Sequence, residues 1–258
     1  MNDENHSPTP WWPAFFDETY ADFGLVDADP ERARRTVDFL FDVLELRAGM
    51  RLFDQCCGIG RLSVPLAERG VRVVGVEQAA RYVERARARA GDLPAEFHCG
   101  DAYAFVAPEP CDAAINWFTS VGYLEDDEAN ARMFERAFAS LKPGGRYAVD
   151  YQNIPRVLRE FHERFFQGPG VDDPDGVIVV QESTPDFRRG MIESVWTFID
   201  PDGRRERRPL STRMYMPHEL LGMLQRCGFE HLELYGSVEG EPFGMKTPRC
   251  IAVARKPE

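Results

Sequence analysis

Apolar residues along the chain recur in two rhythms, and the order of those rhythms predicts the fold. Val37, Leu40, Phe41 and Leu44 fall three or four positions apart, the spacing of one helix face. Asp29-Pro30 precedes them as a capping residue followed by proline at the first helical position. Met50–Phe53 is a short apolar run that predicts a strand, and a glycine-containing turn leads into a helix over Arg61–Arg69. Val71–Val76 is almost continuously β-branched, which predicts a strand buried on both faces. Ala79–Ala90 reads as a helix, and Ala95–His98 and Asp112–Asn116 as strands. Glu128–Leu141 carries Met133, Phe134, Ala137 and Leu141 on one helical face, and Lys142-Pro-Gly-Gly145 ends it. Arg146–Tyr151 is a further strand. Strands alternating with helices predict a parallel sheet covered on both faces.

Beyond residue 151 the rhythm changes. Ile154–Phe166 has helical spacing, and a Gly/Pro/Asp loop follows at 167–176. Val177–Thr184, Met191–Ile199 and Arg204–Met216 read as antiparallel strands, with Asp202-Gly203 as the hairpin turn between the last two. Pro217–Cys227 returns to helix and Gly228 ends it. Phe229–Tyr235 and Cys250–Ala254 predict a closing hairpin. Residues 1–28 carry Trp11, Trp12, Phe15, Phe16, Tyr20 and Phe23, more rings than a disordered tail holds, and predict a segment docked over the body.

Composition narrows the chemistry. Hydrophobic residues make up 43% and charged ones 29%, the balance of a globular chain. The net charge of −12 argues against nucleic acid or an anionic membrane as partner. No apolar run approaches a membrane span, and the polar N-terminus has no basic and apolar leader, so a cytoplasmic location is expected. Six cysteines without a C-x-x-C pair predict reduced thiols, and five histidines without H-x-x-x-H spacing predict no metal site. Arg204, Arg205, Arg207 and Arg208 read as a solvated hairpin face, with an anionic-substrate site as the alternative.

The first strand-turn-helix reads Leu52-Phe-Asp-Gln-Cys-Cys-Gly-Ile-Gly-Arg61. A glycine turn there lets backbone approach a ligand, with a helix N-terminus behind it. The second strand ends at Glu77, about twenty residues beyond Gly58 and placed to accept from a ribose diol. Two nucleoside cofactors suit such a frame. A nicotinamide dinucleotide calls for a third glycine where Ser63 stands, whereas Asp54 at the end of strand one and Gly100-Asp101-Ala102 after strand three suit another ligand.

At these residues the chain resembles the class I S-adenosylmethionine-dependent methyltransferases, whose first motif is similar to Val-Leu-Asp-x-Gly-Cys-Gly-x-Gly. Leu52-Phe-Asp54-Gln-Cys56-Cys57-Gly58-Ile-Gly60, Gly75-Val-Glu77, Gly100-Asp101-Ala102, Asn116-Trp-Phe-Thr-Ser120 and Leu141-Lys-Pro-Gly-Gly-Arg146 carry the resemblance in order, across about residues 30–151. It implies an α/β, Rossmann-like seven-stranded sheet with an inserted antiparallel β cover. The implied segments are a lid over 1–28, a cofactor-binding core over 29–151, a substrate cover over 152–216 and a completion of the core sheet over 217–258. It implies that Cys56, Cys57, Gly58 and Gly60 line the methionine part of S-adenosylmethionine and that Asp54 helps hold its ammonium. Glu77, with Gln78 beside it, is implied for the ribose, Asp101 and Ala102 for adenine, and Asn116 and Trp117 for the sulfonium neighbourhood. Cys56 departs from the pattern, standing where the family has its first glycine. Tyr123, Tyr151, Arg213 and Tyr215 are candidates for the acceptor pocket, and Tyr20 and Asn153 for catalytic positions. The expected reaction is methyl transfer to a nitrogen or oxygen of a small-molecule metabolite, with no dedicated base evident. The post-strand-four Asn116-Trp-Phe-Thr lacks the Asn-Pro-Pro-Tyr/Phe pattern of amino and base methylation. A non-methylating or C-methylating protein that binds S-adenosylmethionine is the alternative, and a nicotinamide oxidoreductase the second.

Overall fold

The computed structural model describes residues 10–17, 20, 30–168 and 176–258. Asp29, Phe23 and residues 169–175 of the expected loop lie outside that range. Two sheets make up the β structure. The larger has seven strands: β1 (Arg51–Gln55), β2 (Arg72–Glu77), β3 (Ala95–Cys99), β4 (Cys111–Asn116), β5 (Leu141–Gln152), β10 (Glu230–Tyr235) and β11 (Arg249–Arg255). Their order is β10-β11-β5-β4-β1-β2-β3. The five strands from β1 to β5 pair in parallel, while β11 runs antiparallel to both β5 and β10.

Hydrophobic patterning explains why this sheet is the core. Every residue of β2 after Arg72 is buried, and β11 is buried from Cys250 to Ala254, as strands covered on both faces require. One face is packed by α5 (Asp127–Ser140) and α7 (Pro217–Arg226) through Met133, Phe134, Leu220 and Leu224. The other is packed by α2 (Pro30–Val43) and α3 (Ser63–Glu68) through Val37, Leu40, Leu66 and Ala67. Helix α4 (Ala80–Ala90) adds Val83, Ala86 and Ala90 beside Phe97. Chain order reverses between β1 and β4, and such a switch point leaves a crevice at the carboxyl ends of the strands.

The smaller sheet is antiparallel, in the order β6-β7-β8-β9: β6 (Arg164–Gln167), β7 (Ile178–Asp186), β8 (Met191–Ile199) and β9 (Arg205–Arg213). It stands between the core's fifth strand and α7, as the inserted cover was expected to. The long helix expected over 154–166 is corrected here. Helix α6 spans only Ile154–Arg159, and residues 164–167 form edge strand β6 instead. Its backbone pairs with β7, and Arg164 forms an ion pair with Glu182 at 2.6 Å, tertiary partners that outweigh helical spacing. Helix α1 (Trp12–Phe15) belongs to the aromatic segment and packs on β9.

Candidate active site

The carboxyl ends of the core strands open into a cavity of about 520 Å³. Its floor is the turn after β1. Gly60 N donates to Cys57 O at 3.0 Å, and Cys57 N donates to Val76 O at 3.1 Å, tying the turn to β2. Gly58 and Gly60 have φ of 55° and 78°, which glycine adopts freely. Cys56 takes φ 57° without being glycine, so the departure from the family motif carries backbone strain of roughly 1–2 kcal/mol. Burial pushes the Cys56 and Cys57 thiols well above their ordinary range, which keeps them protonated and inert. Opposite Cys57, β2 must carry glycine. A Cβ on Gly75 would stand 2.7 Å from Cys57 Sγ and 2.8 Å from the Phe97 ring.

Three carboxylates surround this floor. Glu77 is 8% exposed and accepts from the backbone N–H of Gly58 at 3.2 Å and of Ala79 at 2.9 Å. Those two bonds fix its plane and leave acceptor capacity for a diol. Burial raises its pKa, and the backbone amides work against that rise. Asp54 is buried and accepts from Ser63 Oγ at 2.5 Å. Desolvation, reinforced by the Glu77 charge and opposed by Ser63, leaves it pushed up to about 7. Asp101 caps its own turn, accepting from Tyr103 N at 2.9 Å, and also faces the cavity. Gln78, Ala102 and Trp117 complete this half. A buried carboxylate held near neutrality, a diol acceptor and a glycine cradle fit the ammonium, ribose and backbone approach of S-adenosylmethionine.

Aromatic rings close the cavity. Trp11, Trp12, Phe15, Phe16 and Tyr20 line it from the N-terminal segment, with Tyr123 and Trp196 facing them. Tyr123 lies 4.8 Å from Trp11 and stacks on Phe16 at 6.0 Å between centroids. Arg208, buried in β9, clasps the segment. It pairs with both oxygens of Asp17, at 2.7 and 2.8 Å, and donates to Phe15 O at 2.9 Å. Tyr82 Oη also donates to Asp17 O. The Arg204–Arg208 run is therefore not uniformly a solvated face, since Arg208 is 4% exposed.

Several expected residues stand elsewhere. Asn116 is fully buried behind the cavity wall, its amide group without a partner among the described residues. Tyr151, Arg213 and Tyr215, expected at the acceptor pocket, do not line this cavity. They form a bracket instead: Arg213 pairs with Asp127 at 2.7 Å, Tyr215 Oη donates to Asp127 at 2.7 Å, and Tyr151 Oη donates to Arg213 O. Asn153 does line the cavity, yet its amide caps α6 and ties down a distant loop. Its Nδ2 donates to Gly244 O and Thr247 O, each at 2.8 Å, and its Oδ1 accepts from Arg156 N.

The structure also brings in residues that sequence reading passed over. Arg249 lines the far wall and pairs with buried Asp150 at 2.6 Å, while its Nη2 donates to Thr119 Oγ1 at 2.8 Å. Asp150 also accepts from Phe118 N, and Phe118 and Thr119 both hold φ 59°. Arg61, one residue beyond the glycine turn, lines the cavity too, and its charge beside that turn was the available signal. Past Gln152, Asn153 and Trp196 the cavity adjoins an outer trough between α6 and the cover sheet, lined by His162, Ser183 and Ser194. Among the described residues no helix is long and apolar enough to cross a membrane, and no cluster of three His, Cys, Asp or Glu could hold a metal ion.

Residues 52–145 match the family model for the methyltransferase domain. A S-adenosyl-L-methionine-dependent Diels-Alderase of Talaromyces variabilis is 34% identical over 185 residues, covering 66% of this chain and 60% of that protein. A 23S rRNA (uracil(1939)-C(5))-methyltransferase of Shewanella amazonensis is 36% identical over 95 residues, 36% of this chain and 20% of that protein. The chain thus spans less than two thirds of the length of these curated relatives. Among solved structures, the CcbJ methyltransferase from Streptomyces caelestis has a TM-score of 0.78 at 20% identity, covering 93% of this chain and 96% of that one. CalS10 with bound S-adenosylmethionine, an amino pentose methyltransferase from Micromonospora echinaspora, has a TM-score of 0.68 at 22% identity, covering 93% and 97%. Residues 52–145 therefore form a methyltransferase domain, and the chain around them has the Rossmann-like fold of these methyltransferase structures.

Proposed function

We propose that the protein transfers a methyl group to a nitrogen or oxygen of a small-molecule metabolite, as a natural-product tailoring enzyme does. The observation that carries this reading is the join between two spaces. A cavity walled by Asp54, Glu77 and the glycine turn adjoins an outer trough wide enough for an acceptor. Cys56, Cys57, Gly58, Gly60, Gln78, Asp101, Ala102 and Trp117 would hold the cofactor with them. Bound S-adenosylmethionine supplies an activated methyl group on its sulfonium.

What remains for the chain is alignment and exclusion of water, and orientation alone contributes roughly 7–11 kcal/mol in favourable cases. The N-terminal rings and Trp196 dry the space. Burial raises the Tyr20 pKa, so its hydroxyl stays protonated and orients the acceptor as a hydrogen-bond donor rather than acting as a base. An amine that arrives unprotonated needs no base, and the amino pentose specificity named for CalS10 supports an amine acceptor. Residues 1–28 serve as lid, 29–151 as cofactor domain, 152–216 as acceptor cover and 217–258 as the completing strands. Methyl-labelled S-adenosylmethionine, incubated with the protein and a small-molecule extract or purified rRNA, tests the reading. Label in amine- or hydroxyl-bearing small molecules is expected, and label confined to rRNA overturns it. The likeness to a Diels-Alderase favours a second reading, in which the cofactor binds and no methyl moves. Tight binding without transfer to any acceptor would select that one.

A further inference from the structure

The glycine turn is followed by a cation that no described residue neutralises. Arg61 follows Gly60 directly and faces the cavity. Its guanidinium lies over the Phe118 ring, 4.4 Å from the centroid, which fixes its plane. Its Nε is buried and has no hydrogen-bond partner. The other arginines around this cavity are compensated: Arg249 by Asp150 and Arg208 by Asp17. Among the described residues no carboxylate stands within ion-pairing distance of Arg61. Burial first and then the cation Arg32 press its pKa down, against a smaller opposing contribution from Tyr20, and Arg89 adds to the fall. A partly buried, unpaired guanidinium is costly unless an anion meets it.

S-adenosylmethionine carries one anionic group, the α-carboxylate, on the same carbon as its ammonium. Asp54, the group suited to that ammonium, is the last residue but one of β1, and Arg61 directly follows the glycine turn, both lining the same cavity. We propose that Arg61 holds the α-carboxylate of S-adenosylmethionine, so that Asp54 and Arg61 together read both charges of the amino-acid head group. The inference rests on the cofactor reading of the cavity and extends it to a residue that selects the complete cofactor over a decarboxylated one.

Decarboxylated S-adenosylmethionine lacks only that carboxylate and serves as the probe. Calorimetric titrations of both compounds compare the wild-type chain with Arg61→Met and Arg61→Lys, thermal melting confirming that each variant is folded. A guanidinium–carboxylate bond predicts that the wild type prefers S-adenosylmethionine by roughly ten- to hundred-fold. Arg61→Met abolishes that preference by weakening the complete cofactor alone, and Arg61→Lys restores part of it. Equal losses for the two compounds, an unchanged affinity for S-adenosylmethionine in Arg61→Met, or a wild type that does not discriminate would each overturn the assignment. A wild type that binds neither compound overturns the cofactor reading itself, a result separate from failure of Arg61 alone.

Discussion

At the scale of single residues, the cavity is built from groups held away from their ordinary states. Asp54 is the clearest, with its carboxyl pushed up to about 7 by burial. Its folded pKa lies above the unfolded value of 3.8, so the folded state binds the extra proton between those values. Folding stability contributed by this group is complete below the unfolded pKa and is lost as pH rises toward 7. Asp54→Asn should therefore raise the melting temperature of the ligand-free protein at neutral pH, with the gain vanishing near pH 4. An ammonium ligand reverses the balance by favouring the ionised form. Affinity for S-adenosylmethionine should fall by up to tenfold per unit as pH drops below about 6.5. Calorimetric titration across that range checks this, and Asp54→Asn should show weaker, flatter binding. Cys56 is the strained counterpart. Cys56→Gly should relieve roughly 1–2 kcal/mol of left-handed strain, offset by lost thiol packing. Retained cofactor affinity and a melting point at or above the wild type's are the expected results.

At the scale of elements, what the sequence discloses follows how each element is stabilised. Buried parallel strands announce themselves because both faces are apolar, as Val73, Val74 and Val76 show. The glycine turn and Glu77 were legible because each lies at the end of such a strand, and Asp101 because it follows a glycine just after β3. Edge strand β6 was not legible, since its four residues are exposed and its reason for being a strand is β7. Tyr151, Arg213 and Tyr215 have the chemistry of a pocket, but sequence does not show direction, and the partner of Arg213 sits 86 positions away. That partner, Asp127, pins the cover sheet to the first turn of α5. Its pKa is lowered, first by the Arg213 bond and then by Tyr215. Asp127→Asn should cost roughly 1–2 kcal/mol, discounted because the carboxylate is 45% exposed. Urea unfolding measures the loss, and an unchanged midpoint would remove the bracket's structural role.

At the scale of the molecule, two bodies of unequal stability share one cavity. The seven-stranded core is buried on both sides, whereas the aromatic segment contributes a helix of four residues. So short a helix is marginal by itself and persists here through its rings and the Arg208 clasp. Segments of that kind open at low free energy. Because Trp11, Trp12, Phe15, Phe16 and Tyr20 wall the space in which the cofactor would sit, the segment is expected to move when the cofactor loads. Bound ligand should then add contacts that hold it shut. Hydrogen exchange over residues 10–17 is therefore expected to slow on addition of S-adenosylhomocysteine, while exchange in β1 and β4 changes little. Asp17→Asn withdraws the carboxylate that pairs with Arg208 and leaves the cofactor-facing carboxylates untouched. That variant should exchange faster over residues 10–17 and load S-adenosylmethionine with a higher association rate in stopped-flow fluorescence, which the nearby tryptophans report. Exchange that ignores the ligand, together with an unaltered association rate in Asp17→Asn, would make the segment a fixed wall rather than a lid.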